Sequence, residues 1–419
     1  MATIRFFGGV GVIGSSKILI EQEGWRILLD FGLDFSPGLG LFRGAVRPRP
    51  GHELSDRLKT QMAPHIPYLY RPELLRSINN LPGGSDGHTA VFITHAHLDH
   101  IGLAGAIDPA IPIWASPETV QLMHALEISG EDSGGEWPVL RPMAAEQPIA
   151  FGPFQVTRYA VDHDIIGASG YAVETEDGVV AFSGDLRLHG RHPEQTWKFA
   201  HKVRGARALI MEGTTLSFGF QDATRTEEDV DQAFAKILAQ TPGLVLATVY
   251  PRNIERVAAF IQVAREMGRT FLWPERMTQF FQAMGLAAQS WDADHLDPIQ
   301  KHPERYIIQL TAQDWPMMLD LPMGPSATFI HANGEPLGTF DPHWTLLQDW
   351  LAAVHTSFWA IGTGGHASPD DIRALLDVIQ PDILFPLHSK DPDRMLPPSG
   401  TVRWLPEKDR LYDLSRGKG

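Results

Sequence analysis

"FITHAHLDHIG", Phe92 to Gly102, places three histidines and an aspartate within six positions, directly after the apolar run "TAVFIT". A short β-branched and aromatic run of this kind reads as a strand, which puts His95, His97, Asp99 and His100 in the loop at its end, with "IGLAGAI" after it as a helix start. On one helix His95 and Asp99 would face one way and His97 another; in a loop all four can converge. Imidazole with carboxylate suits zinc, manganese or iron, and the pairs His95/His97 and Asp99/His100 can serve two adjacent ions.

A two-ion site needs more ligands than one loop supplies. Three further residues stand just past strand-like runs: His163 in "AVDHD", Asp185 in "AFSGDLRLHG" and His388 in "LFPLHSKD". Alone, each reads as an ordinary polar residue at a strand end; together they complete a site.

Composition narrows the chemistry. The 419 residues, 43% of them apolar, are enough for two or three domains with cores of their own. Cysteine is absent, so disulfides, thiolate nucleophiles and Cys-held zinc are excluded, and any metal falls to His, Asp or Glu. No run reaches the ~18 apolar residues of a membrane span and "MATIRFFGGV" lacks a secretory layout, so a cytoplasmic protein with no membrane partner is expected. The net charge of -15 argues against general attraction to nucleic acid. Residues 41 to 80 run against that trend, with seven Arg or Lys against three acids. A basic lip built on Arg43, Arg47 and Arg49 and a plain solvated loop are both open readings of this stretch.

Along the chain, "KILIEQ" and "WRILLDF" flank a tight turn, and "FQVTRYAV", "GYAVETE" and "VVAFSGD" alternate likewise, so all read as hairpins of one sheet. Pro- and Gly-rich residues 34 to 86 interrupt them as an expected lid or binding loop, with a short helix at "PELLRSI". From residue 211 strands alternate with helices such as "TRTEEDVDQAFAKILAQ", where Thr226 and Asp229 have capping-box spacing. This α/β segment looks inserted in another domain. Gly9, Gly11 and Gly14 spell G-x-G-x-x-G, but the residues after them alternate like a β-hairpin instead of opening a helix, so these glycines read as tight turns and not as a dinucleotide site.

H-A-H-L-D-H, then a His before a Gly-rich turn, then S-G-D, then a late His after an apolar strand resemble the metallo-β-lactamase fold, with Asp30 in "LLDFG" matching its early aspartate. "MEGTTL" around Glu212, "GTGGHAS" around His366 and "FPLHSKD" around His388 resemble the motifs of the β-CASP nuclease branch, and "YPRNIERV" and "HANGEPL" are most similar to ribonuclease J. The resemblance implies an αββα sandwich of α/β class: residues 1–210 and 363–419 as the metallo-β-lactamase domain, 211–362 as an inserted β-CASP domain. It implies two divalent metal ions, zinc first and manganese as the alternative. One would take His95, His97 and His163, the other Asp99, His100 and His388, with Asp185 bridging and Asp30 orienting a ligand from behind. His366 would contact the scissile phosphate and Glu212 would help hold the site, which with Asp99 and Asp185 makes the catalytic set. The ordinary readings are that Glu212 caps "GTTLSFG" and His366 caps the helix at "ASPDD".

Two departures stand out: Gly364 replaces the family's Ser before Gly-His, and Ser389-Lys390 replaces its Gly-Glu after the last His. The expected function is hydrolysis of phosphodiester bonds in RNA or single-stranded DNA by a hydroxide that two metal ions activate, with a homo-oligomer left open. The rival readings are a small-molecule ester, lactam or phosphodiester hydrolase of the same fold, and a non-catalytic subunit of a nucleic-acid complex.

Overall fold

The computed structural model describes residues 1–34, 41–42, 46–133, 135–218, 225–338, 341 and 343–416. It divides into two compact units, one made of Met1–Met123, Asp132–Asp222 and Gly365–Gly419, the other of His124–Glu131 and Ala223–Gly364. In the first unit the chain forms β1 (Thr3–Phe6), β2 (Ile18–Gln22), β3 (Trp25–Leu29), β4 (Thr89–Phe92), β5 (Ile113–Ala115), β6 (Leu140–Pro142), β7 (Ile149–Phe151), β8 (Phe154–Ala160), β9 (Ser169–Thr175), β10 (Gly178–Phe182) and β11 (Ala208–Glu212). The second unit supplies β12 (Val245–Val249), β13 (Thr270–Trp273), β14 (Gln289–Ser290), β15 (Tyr306–Gln309), β16 (Thr328–Ala332) and β17 (Ser357–Ala360). The return segment adds β18 (Ile383–Leu387), β19 (Val402–Arg403) and β20 (Leu411–Asp413) to the first unit.

Two seven-stranded sheets, ordered β20-β1-β2-β3-β4-β5-β6 and β19-β18-β11-β10-β9-β8-β7, build the first unit. Alternation along the strands gives each sheet an inner face, and Ile4, Phe6, Ile18, Ile20, Ile27 and Phe92 meet Val156, Tyr171, Val173, Phe182, Ile210 and Phe385 in one buried core. The opposite residues of the second sheet, Ala181, Leu209, Met211 and Leu384, pack under Phe199 and Ala200 of the helix Pro193–Lys202, Val203 just past its end, and Ile372, Leu375 and Ile379 of the helix Pro369–Ile379. This is an α/β sandwich with helices on its outer faces. The second unit is a wholly parallel six-stranded sheet, ordered β14-β13-β15-β12-β16-β17, with Leu244, Leu246, Leu272, Ile308, Phe329, Leu347 and Leu351 in its core.

Strand direction explains why the ligand candidates meet. β3 and β4 run parallel with Leu29 beside Phe92, and β10, β11 and β18 run parallel with Phe182, Ile210 and Phe385 in one row. Asp30, His95, Asp185, Glu212 and His388 therefore all leave or end strands at the same end of their sheets. Two of these positions, Asp30 at φ 57° and His388 at φ 55°, are left-handed, a conformation that turns the chain sharply at the strand's end and that a non-glycine residue adopts only when its surroundings enforce it.

The structure revises several expectations. The hairpins fall in two sheets, β2–β3 in the first and β8–β10 in the second, because period-2 alternation marks faces and not sheets. Residues 34 to 86 are more than a lid. Leu54 and Leu58 of the helix Glu53–Lys59, with Ile66, Leu69, Tyr70, Leu75 and Leu81, bury against the outer side of the first sheet through Leu19, Leu28 and Val91. "PELLRSI" holds a single 3-10 turn, Pro72–Leu75. Of the arginines in the expected lip, Arg43 lies outside the described residues, Arg47 is exposed, and Arg49 is engaged by Asp56 at 2.5 Å. The second unit takes in His124–Glu131 besides its main segment, which runs from Ala223 where the sequence reading set 211, because the parallel pairing of β11 with β10 and β18 holds 208–212 in the first sandwich.

Candidate metal centre

The loop after β4 differs from the expectation in its second half. His95 and His97 are in extended chain, but Asp99 and His100 sit in a one-turn helix, Leu98–Ile101, whose first N–H groups, those of His100 and Ile101, donate to His97 O. Among the described residues, side chains able to hold an ion gather as His95/His97/His163, as Asp99/His100/Asp185/His388, and as Glu212/His366/His388. Within the first set His97 Nδ1 lies 3.1 Å from His95 Nε2 and 3.3 Å from His163 Nε2. In the second, His388 Nε2 lies 3.1 Å from Asp99 Oδ2 and 3.3 Å from His100 Nε2. Asp185 Oδ2 touches both: 3.9 Å and 4.0 Å from His95 and His163 Nε2, 3.2 Å and 3.6 Å from His100 and His388 Nε2.

Hydrogen bonds behind the rings decide which nitrogens face inward. His100 Nδ1–H donates to Asp30 Oδ2 at 2.7 Å, His163 Nδ1–H to Gly365 O at 2.5 Å, and His388 Nδ1–H to Thr214 Oγ1 at 2.8 Å. Thr94 Oγ1 donates to Asp30 Oδ2 at 2.8 Å, so it accepts from His95 Nδ1–H at 2.9 Å. When neutral, each of these four rings turns an unprotonated Nε2 to its neighbours, the arrangement that metal-binding imidazoles need. Without a cation between them such lone pairs would only repel.

Electrostatics agree. Burial, reinforced by the neighbouring rings, holds His95 well below the ordinary histidine range; burial, with a smaller push from a neighbouring ring, outweighs nearby carboxylates to lower His97 to about 4 and to lower His163 as well. The first set is thus neutral at working pH. Burial also opposes charge on His100, but Asp185, Asp99 and Asp30 outweigh it and raise that ring well above its usual value. Asp99 and Asp185 remain ionised, because His100 and its neighbours overcome the burial that would raise them. Asp185 Oδ1 is buried with no hydrogen-bond donor. Five carboxylates, counting Asp30, Asp164 and Glu212, crowd a pocket of histidines, a set whose charge and lone pairs fit divalent cations.

Glu212 and His366 meet as well. His366 Nδ1 lies 3.2 Å from Glu212 Oε1 and 3.9 Å from Asp185 Oδ2, while Glu212 Oε2 accepts Thr214 N–H at 2.9 Å. Burial would lower the ring, yet Glu212 and Asp185 raise His366 to about 9. Glu212 therefore caps the Thr214–Ser217 turn and binds His366 at once, and the cap of the helix Pro369–Ile379 is Ser368 instead of His366. The G-x-G-x-x-G glycines form a turn between β1 and β2, where a Cβ on Gly14 would stand 2.8 Å from Asp99 Oδ2. Four participants escaped the sequence reading: Thr94, Thr214 and the Gly365 carbonyl, invisible as partners of the rings, and Asp164, although it directly follows His163 in "AVDHD".

With this geometry in view, the sequence pattern of the β-lactamase superfamily domain matches residues 71–236. The fold is that of the metallo-β-lactamases. Over most of its length the chain is similar to proteins named ribonuclease J. It is 22% identical over 414 residues to the Helicobacter pylori (strain 26695) protein, covering 91% of this chain and 55% of that one. It is 24% identical over 441 residues to the Pyrococcus abyssi protein, covering 93% and 90%. The chain spans about half the length of the Helicobacter relatives it matches. A solved structure, that of a protein of unknown function from Enterococcus faecalis V583, superposes with TM-score 0.83 at 27% identity, covering 98% of this chain and 99% of that one.

Proposed function

We propose that the protein is a metal-dependent nuclease of the β-CASP type that hydrolyses phosphodiester bonds of RNA, its inserted unit being the β-CASP domain. The observation that carries this reading is Asp185 Oδ2, shared between a three-histidine set and a carboxylate-rich set, with the His366–Glu212 pair beside it. His95, His97 and His163 would hold one ion and Asp99, His100 and His388 the other, with Asp185 within reach of both; zinc is the favoured metal and manganese the alternative. Bound there, divalent ions would supply a water of lowered pKa and charge to offset that on the entering and leaving oxygens of a phosphoryl displacement. The chain's own residues do the rest. Asp30, Thr94, Thr214 and the Gly365 carbonyl hold four imidazoles in the required tautomer. Glu212 keeps a proton on His366 Nδ1 and keeps the ring cationic near neutral pH, so Nε2 is free to donate to a phosphate oxygen.

The relatives' name points to RNA, and single-stranded DNA offers the same backbone chemistry. End-labelled RNA and DNA incubated with each divalent ion test the proposal: RNA should be cleaved, cleavage should stop with chelator, and it should return with zinc or manganese. A second reading, a small-molecule hydrolase, is favoured by the net charge of -15 and by Gly364 where the family carries a hydroxyl. Turnover of a lactam or thioester panel with intact RNA would establish that second reading in place of the first. No helix of the described residues is long and apolar enough to cross a membrane.

A further inference from the structure

Asp164 has no part in the ligand sets above, yet its Oδ1 is buried, accepts no hydrogen bond, and faces the three-histidine set. It lies 3.4 Å from His163 Nε2 and 3.7 Å from His97 Nε2. The loop before His366 fixes its position: a Cβ on Gly365 would stand 2.7 Å from Asp164 Cγ and Oδ1 and 2.6 Å from His163 Cε1, so only glycine lets this backbone lie over the pair while its carbonyl takes the His163 proton. Oxygens stand behind four of the imidazoles read as ligands: Thr94 for His95, Asp30 for His100, Gly365 O for His163 and Thr214 for His388. His97 differs in presenting Nδ1 to its neighbours, so the nitrogen behind its ring is Nε2, and there Asp164 Oδ1 stands.

We propose that Asp164 is a positioning residue of the three-histidine site: it takes the Nε2–H of His97 and so keeps that ring's Nδ1 unprotonated and aimed at the ion. A tilt of the ring by ~0.5 Å brings the pair within hydrogen-bond reach. The inference rests on the metal-centre reading. Its consequence is selective, because a carboxylate behind one imidazole strengthens the ion that ring holds and leaves the other ion alone. Asp164 also adds a negative charge of its own beside the three histidines, on top of the Asp185 carboxylate that both sets share.

The experiment is a metal titration of the stripped full-length protein, read by competition with a chromophoric chelator for zinc and separately for manganese, on wild type, Asp164→Ala and Asp164→Asn. Asp164→Ala should weaken one of two ions by ~10- to 100-fold and leave the other within about twofold. Asp164→Asn, which keeps the shape and an acceptor oxygen but loses the charge, should fall between; it also carries the test if the alanine variant does not fold. Both affinities unchanged in both variants would overturn the role of Asp164 while leaving the two-ion centre standing. Loss of one ion altogether in both variants, with Asn as severe as Ala, would make Asp164 a direct ligand and overturn positioning. Wild type that binds no ion would overturn the metal centre and this role with it.

Discussion

Asp185 places one negative charge between two groups of imidazoles, and an amide of the same shape cannot. Asp185→Asn is expected to lower turnover by more than ~100-fold, a loss above ~2.7 kcal/mol of transition-state stabilisation, while the melting temperature of the stripped protein stays close to wild type. Steady-state rates within tenfold of wild type would remove the bridging role. Asp30 works from behind and has a different signature. Its carboxylate accepts from Thr94 N, Thr94 Oγ1 and His100 Nδ1 in complete burial, so Asp30→Ala leaves three donors stranded at ~1 to 3 kcal/mol each. That variant should lose both stability and affinity for the ion at His100, measured by chemical denaturation and by metal titration. A variant that loses neither would show that Thr94 alone orients the loop.

At the scale of elements, the loop joining β1 to β2 conceals a buried lysine. Lys17 Nζ donates to Ser15 O and Oγ, and burial, only partly offset by Asp34, lowers it to about 7. Its folded value lies below its ordinary 10.5, so the unfolded chain binds the extra proton between those limits and stability should rise as pH climbs from 7 to 10.5. Thermal melts of Lys17→Met against wild type, both stripped of metal, should show the variant ahead below pH 7 and the gap closing toward pH 10; a gap that does not change with pH excludes a neutral lysine. Gly365→Ala is the matching test of the His366 loop. The added methyl must displace His163 or Asp164, so metal affinity at the three-histidine set should fall, and a fully bound variant would mean that the loop yields freely. Elements were the most legible scale. The capping box at Thr226, the turn at Glu23–Gly24 and the alternating strands of the second unit followed from local rules. The clustering of the candidate ligands was legible because H-A-H-L-D-H is dense and the other three sit after apolar runs. What stayed hidden was whatever depends on two distant segments meeting: the split of the hairpins between sheets, the burial of residues 54–81 under β2, β3 and β4, the Asp56 partner of Arg49, and Asp164, whose meaning comes from His97 and Gly365 and not from its neighbours in sequence.

At the scale of the molecule, every cluster of side chains able to hold an ion, among the described residues, lies in the first unit. Metal removal should therefore lower one of two calorimetric transitions and spare the other, and a single transition that moves as a whole would show the two units to unfold together. The order of the segments along the chain has a further effect. β18 lies between β11 and β19 in the second sheet of the first unit, and it bears His388 at its end, yet it is made about 170 residues after its partner β11. A ribosome that has finished the first 380 residues has produced most of that sandwich with the row of β11 unpaired at an open edge and one ligand absent. Such an intermediate is prone to pair with strangers, and it cannot hold a complete two-ion site. The position of one strand thus makes the site late to complete during synthesis: on the reading proposed above, a chain stalled or released before residue 388 lacks one of the groups that would hold metal, and it would lack hydrolytic power with it.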